Sequence, residues 1–307
     1  MVPTDARLRP GESAPLLQAL IARAADDLGL CVLAIKGPVV ALQGLRDERT
    51  SADVDVLVHP RDLRRLIGGL AALGWHESVR STYPAIMRAH SVTLLNDLWP
   101  TGIDVHHYFP GFLADAGDVF DTLWERHELV TLAGVEVPAC DQVGQAAIVA
   151  LHLLRDSADG NSDALGDLED RARRLLGPEG VQALVRLAHE TDATVTMRPF
   201  LVSLGVREQD LGPARDPEAL EEWNRGVRAV AAQPWLMLFA QTPVHRWPRT
   251  LWHAVMLTDE EILASNQVRR GEASLALLRW HRIRRGAKAL PKAVQALKKD
   301  GGPDAGL

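Results

Sequence analysis

Ala52-Asp53-Val54-Asp55-Val56-Leu57-Val58 alternates acidic with apolar side chains and then closes on an apolar run. Period two is the mark of a β-strand, and it sets Asp53 and Asp55 on one face and Val54, Val56 and Val58 on the other. Two carboxylates held that close repel unless positive charge lies between them. A hard divalent cation answers this, because it takes oxygen ligands and keeps positions open for phosphate oxygens. A second alternating stretch, Gly102-Ile103-Asp104-Val105-His106, carries the best third carboxylate. Asp53, Asp55 and Asp104 together could hold two ions across adjacent strands.

The chain around this stretch reads as a mixed fold. Leu16 to Leu28 has helical spacing and meets a helix-ending Gly29; Cys31 to Ile35 is a short apolar run, read as a buried strand with Cys31 inside. Lys36-Gly37-Pro38 follows at once. Pro38 suits the first turn of a helix, where its missing N–H is not needed, and Val39, Val40, Leu42 and Leu45 form that helix's core side. Asp47 to Ser51 is turn-like, and Pro60 to Leu73 reads as a helix stopped by Gly74. Ser91 to Leu95 and Gly102 to His106 are strands separated by the turn-like Asn96 to Pro100. After about Ala139 the pattern turns helical: Gln142 to Leu154, Leu165 to Leu176, Val181 to His189, and Pro217 to Ala232 with Asp216 as its N-cap. A connection holding Trp235, Trp247 and Trp252 comes next. The expected class is α+β: a mixed sheet with flanking helices over 1–138, a mostly helical region over 139–300, and a disordered tail at 301–307.

Composition narrows the function classes. Of 307 residues, 47% are hydrophobic and 24% charged, a globular balance. No apolar run approaches the roughly 20 residues of a membrane helix, and the first ten residues lack an apolar signal core. The two cysteines, Cys31 and Cys140, make neither a disulfide framework nor a zinc motif, so a cytoplasmic setting without membrane attachment is expected. The net charge is −6, yet residues 279–299 hold eight basic and no acidic side chains, a stretch that can serve either as a solvated helix face or as an arm for RNA. There is no Gly-x-x-x-x-Gly-Lys-Ser/Thr loop and no Gly-x-Ser-x-Gly elbow, which argues against a P-loop NTPase and a serine hydrolase. His152 and Asp156 have helical metal spacing without a third ligand, and Asp159-Gly160-Asn161 lacks the ligand spacing of a calcium loop.

The ordered set Ile35-Lys36-Gly37, Arg49, Asp53-Val54-Asp55-Val56-Leu57-Val58 and Asp104-Val105-His106 resembles the uncharacterised bacterial nucleotidyltransferase family of the polymerase-beta-like nucleotidyltransferase superfamily. The resemblance is strongest over residues 30–110, with weaker echoes around His152 and Asp167 to Asp170. It implies an N-terminal nucleotidyltransferase domain over 1–138 and an acceptor-binding helical domain over 139–300. It further implies transfer of a nucleoside monophosphate from an NTP to an acceptor (small molecule, peptide, protein or RNA), with pyrophosphate leaving and Mg²⁺ or Mn²⁺ as cofactor. Asp53 and Asp55 would hold the metal, and Asp104 would complete the site and help deprotonate the attacking group. Gly37 would let the backbone approach the triphosphate at a helix N-terminus. Lys36 and Arg49 would neutralise phosphate charge, and His106 joins the site through the family pattern. One departure stands out: the superfamily's turn is Gly-Ser or Gly-Gly, whereas Pro38 here removes one N–H from the cradle. That departure motivates a nucleotide-binding protein without turnover as the alternative; an RNA-directed toxin using the basic stretch is a third reading.

Overall fold

In the computed structural model the described residues are 8–49, 53–78, 89–156, 162–228, 274–281 and 283–284. From the N-terminus run α1 (Pro10–Asp27), β1 (Val32–Ile35), α2 (Gly37–Leu42), β2 (Asp53–Val58), α3 (Leu63–Ala72), β3 (His76–Glu77), β4 (Ser91–Leu95), β5 (Gly102–His106), α4 (Ala116–Trp124), β6 (Glu128–Leu132), β7 (Val135–Ala139), α5 (Gln142–Asp156), α6 (Ser162–Glu190), α7 (Arg198–Ser203) and α8 (Pro217–Arg228). The chain divides into two units, Met1–Glu77 with His90–Trp223, and Ser78–Ala89 with Asn224–Leu307. The first holds the whole sheet; of the second, a helical stretch at 275–281 is the main described part. The Trp235 to Trp252 connection, the Asp159 loop, most of the basic stretch and the 301–307 tail lie outside the described residues.

The sheet is mixed and seven-stranded, in the order β3-β4-β5-β2-β1-β7-β6. β1 and β2 run antiparallel with Ile35 opposite Asp55. β2 and β5 run parallel, so Asp53 stands opposite Gly102 and Asp55 opposite Asp104. β4 pairs antiparallel with β5 and sets Thr93 opposite Asp104. β7 joins β1 in parallel, and β6 closes that side as a hairpin.

Alternation in β2 and β5 supplies the core. Val54, Val56, Val58, Ile103 and Val105 are each at most 1% exposed. They pack in one cluster with Leu17 and Ile21 of α1, Leu66 and Leu70 of α3, and Trp75. Burying a side chain of this size contributes about 1.5–3 kcal/mol. β2 has no solvent face beyond Asp53, because Asp55 and Leu57 are buried as well.

Several expectations change in detail. Cys31 is exposed and precedes β1 rather than lying inside it, since Gly29 in the left-handed region (φ 62) ends the α1 turn and Leu30 takes the buried position. Leu42 is 61% exposed because α2 is only six residues long; Leu45 folds back into the core after Gly44 (φ 77). The 60–73 segment begins as a 3-10 turn at Pro60–Asp62 before α3. The two helices expected at 165–176 and 181–189 are halves of α6, which breaks at Gly177 (φ 58, ψ −173) just before Pro178. Asp216 caps α8, its Oδ1 accepting from the Glu218 and Ala219 N–H groups at 3.0 Å each. α4, β6, β7 and α7 add elements that periodicity alone had left unread.

α5 is the helix that ties the second half of the first unit to the sheet. Asp141 caps its start, Oδ1 accepting from Gly144 N–H at 2.7 Å. Gln142 donates to the Gln43 carbonyl at 2.8 Å, and Gln43 donates to the Cys140 carbonyl at 2.8 Å, so the end of α2 and the start of α5 are locked together. Among the described residues no helix is long and apolar enough to cross a membrane.

Candidate active site

At the end of β1 the backbone turns through two positive-φ residues, Lys36 (φ 53, ψ −146) and Gly37 (φ 50). Glycine enters this region freely; a lysine held there costs on the order of 1–3 kcal/mol. Pro38 then sits in the first turn of α2, as its fixed φ favours. The turn is supported from three sides. Arg46 donates to the Gly37 carbonyl at 2.8 Å. Gln145 of α5 accepts from Lys36 N–H at 3.0 Å and donates to the Ala34 carbonyl at 3.1 Å. Gln18 of α1, 1% exposed, packs so that a Cβ at Gly37 would stand 3.6 Å from its Nε2, and neither of its amide atoms has a hydrogen-bond partner among the described residues.

The strained turn delivers the Lys36 ammonium to Asp55, Nζ to Oδ1 at 2.7 Å. His106 Nε2 meets the same oxygen at 2.8 Å. Burial alone would raise the Asp55 carboxyl, but the His106 hydrogen bond and the Lys36 charge outweigh it and hold the group at about 2. Asp55 is therefore ionised near neutral pH, and Nε2 carries the proton it donates. The Phe109 ring stands 5.8 Å from Lys36 Nζ.

Asp104 is fixed by its register partner: Thr93 Oγ1 donates to Oδ1 at 2.6 Å. Asp53 opens the same face one pleat away. Burial first, and then the charges of Asp55 and Asp104, raise its carboxyl above the ordinary value, with Lys36 offsetting only part. The Lys36 ammonium thus pairs with Asp55 and offsets part of the negative charge felt by Asp53. His90 lies nearby, its ring tilted against that of His106 at 5.4 Å and edge-on to Tyr108 at 6.1 Å. Burial, helped by nearby positive charge, pushes the His90 imidazole down to about 3, so this ring is neutral.

Ligand atoms of Asp55, Asp104 and His106 all lie within 4.8 Å of one another; Asp53 stands outside that group. Two carboxylates at this spacing, with a third whose pKa is raised by burial and then by their charge, fit a hard divalent cation. The imidazole already donates to Asp55, the arrangement by which an outer-shell group orients a ligating carboxylate.

The structure brings together Lys36, Gly37, Asp53, Asp55, Asp104 and His106. Arg49 sits on exposed coil, with no hydrogen bond or ion pair to these residues among those described. The guanidinium that reaches the turn belongs to Arg46, which the sequence reading passed over. Thr93 was missed too, although its place on the polar side of the Ser91 to Leu95 alternation is a legible signal. Gln145 gave none, because it meets the turn across 109 residues of sequence.

A family model described as an uncharacterised nucleotidyltransferase matches residues 16–201, a span from α1 to α7 that holds every residue above. No curated protein matches. Among solved structures the chain is similar to an antigenic nucleotidyltransferase-like protein from Paracoccidioides brasiliensis, at 13% identity over 62% of this chain and 93% of that one, with a TM-score of 0.38. It is also similar to the antibiotic-resistance factor ANT(2'')-Ia, known from a solution structure, at 12% identity over 62% and 98% of the two chains, with a TM-score of 0.39. With its site residues and more than half of its length inside the matched span, the chain belongs to the uncharacterised nucleotidyltransferase family.

Proposed function

We propose that the protein transfers a nucleoside monophosphate from a nucleoside triphosphate to an acceptor hydroxyl or phosphate, with release of pyrophosphate. The observation that carries this reading is the parallel pairing of β2 with β5, which makes Asp55 and Asp104 register partners beside the Lys36–Gly37 turn. Asp55, Asp104 and Asp53 would hold Mg²⁺. When bound, that ion supplies Lewis-acid neutralisation of phosphate oxygens. The protein's own groups do the rest. Gly37, with no side chain, lets the backbone approach the phosphates. The Lys36 ammonium balances charge on them, where phosphoryl transfer gains most. Asp104, held at one oxygen by Thr93, accepts the proton of the attacking group. His106 keeps the Asp55 carboxylate oriented.

The test is incubation of the protein with each labelled NTP, Mg²⁺ and a cell extract, beside Asp53→Asn and Asp55→Asn variants. A labelled product and pyrophosphate from the native protein, lost in both variants, is the expected result. Undiminished Mg²⁺-dependent pyrophosphate release in the variants would refute it. A second reading, nucleotide binding without turnover, is favoured by Pro38, which removes one N–H from the phosphate turn. Calorimetric binding of NTP and Mg²⁺ with no product in any extract would favour it; any nucleotidylated product would exclude it.

A further inference from the structure

Gln145 does nothing that the proposed chemistry requires of it directly, yet it is the most completely enclosed polar side chain near the site, at 0% exposure. It projects from α5, an element remote in sequence from the β1–α2 turn. Both ends of its amide are used on one short stretch of backbone. Oε1 accepts from Lys36 N–H at 3.0 Å and Nε2 donates to the Ala34 carbonyl at 3.1 Å. In effect the side chain carries the hydrogen-bonding of β1 past Ile35, where β1's pairing with β2 ends. The residue it grips is Lys36, at φ 53 and ψ −146, one of three non-glycine residues with positive φ among those described. A lysine free to relax would leave this region, and its ammonium would leave the position 2.7 Å from Asp55.

We propose that Gln145 is a positioning residue: by clamping the Lys36 N–H and the Ala34 carbonyl, it holds the lysine in its left-handed conformation. That aims both the ammonium and the Gly37 backbone at the phosphates of a bound nucleoside triphosphate. What the turn is aimed at rests on the nucleotidyl-transfer reading; the clamp itself does not. An apolar side chain at 145 would fill the same space. It would also leave the Lys36 N–H unpaired and the Ala34 carbonyl with only the Cys140 N–H at 3.3 Å, a cost the backbone can escape by relaxing the turn. The helix thereby couples the second half of the fold to the geometry of the first, which explains why a buried glutamine, expensive unless fully bonded, stands in an otherwise apolar helix face.

The experiment compares the full-length protein with Gln145→Met and Gln145→Glu. Two readouts are taken: amide hydrogen exchange at Lys36, with the Leu33 and Ile35 amides as internal controls, and titration with Mg²⁺ and each NTP. In Gln145→Met, exchange at Lys36 should quicken at least tenfold relative to the controls, and nucleotide affinity should fall about tenfold. Gln145→Glu guards against a variant that fails to fold. Its protonated carboxyl can accept from Lys36 N–H and donate to the Ala34 carbonyl, and burial raises its pKa. Lys36 protection and nucleotide affinity should therefore return together as pH falls and fade together as it rises. Lys36 exchange that matches the controls in Gln145→Met overturns the clamp. Faster exchange with unchanged nucleotide affinity overturns its positioning role. If the native protein binds and turns over no NTP, the functional reading falls, while the exchange readout still decides the clamp.

Discussion

β2 and β5 have two faces with opposite physics. On one, Val54, Val56, Val58, Ile103 and Val105 are sealed beneath α1 and α3. On the other, Lys36 and His106 share one oxygen of Asp55, which is only 5% exposed, and Asp53 and Asp104 add two more carboxylates to the same face. The first face gains free energy from every methyl it hides. The second spends some of it: a buried ion pair rarely repays its desolvation in full, and a left-handed lysine adds strain. Local rules are broken on one side of a strand whose other side obeys them without exception, and the broken side is the one that carries the proposed site.

The comparison can be broken most sharply at Asp104. Among the described residues its one side-chain hydrogen-bond partner is Thr93, so Asp104→Asn should fold normally with a melting temperature within a few degrees of the native protein. Loss of its charge should still lower nucleotidyl transfer about a thousandfold or more, the several kcal/mol a metal-holding carboxylate supplies. Steady-state turnover beside calorimetric melting would settle it; a large melting shift with retained turnover would reverse the assignment of the two faces. Leu70→Ala tests the apolar side. The side chain is 0% exposed in the cluster beneath that face, and its truncation should cost about 2–5 kcal/mol by denaturant unfolding. Turnover well below the melting temperature should remain native, and a selective loss of activity would blur the division.

The smallest effect at neutral pH is at His90, and it grows with acid. Its imidazole is pushed down to about 3 in the folded protein, so at pH 7 it is neutral there and mostly neutral in the unfolded chain, whose ordinary value is 6.5. As pH falls below the ordinary histidine value of 6.5, the unfolded chain takes up a proton that the folded one refuses until about 3. Stability should drop across that window, and His90→Phe should flatten the fall when melting is followed from pH 7 to pH 4. Asp55 acts lower down: held at about 2, it stabilises the fold above its ordinary value of 3.8 and loses that contribution as pH falls towards 2. An unchanged pH slope in His90→Phe would place the acid sensitivity elsewhere on the polar face.

Much of the fold was readable residue by residue. The Asp-Val-Asp-Val alternation marked β2, Gly102 to His106 matched β5 end to end, and Pro38, Gly74 and Asp216 each stood where a turn or cap requires. These signals are local: φ preferences and side-chain periodicity act within a few residues. Boundaries slipped where tertiary burial took over, as with Cys31 turned outward and Leu42 left exposed at the end of a short helix. The site was legible as a list of residue types and far less so as a geometry. Arg49 had the right spacing, yet Arg46 reaches the turn, because Gly44 sends the chain back on itself after α2.

By itself, then, the amino-acid order determined which strand carries the paired acids, which face of it is apolar, and that a lysine and a glycine precede a helix start. Periodicity and backbone preference are written into neighbouring residues and need no partner to be read. Only the tertiary structure decided that β5 lies parallel to β2, that His106 and Lys36 share one oxygen of Asp55, and that Gln145 grips the turn from 109 residues away. Those are choices among pairings, settled by which packing buries the apolar face while leaving most buried polar groups a partner, and no stretch of sequence records that competition on its own.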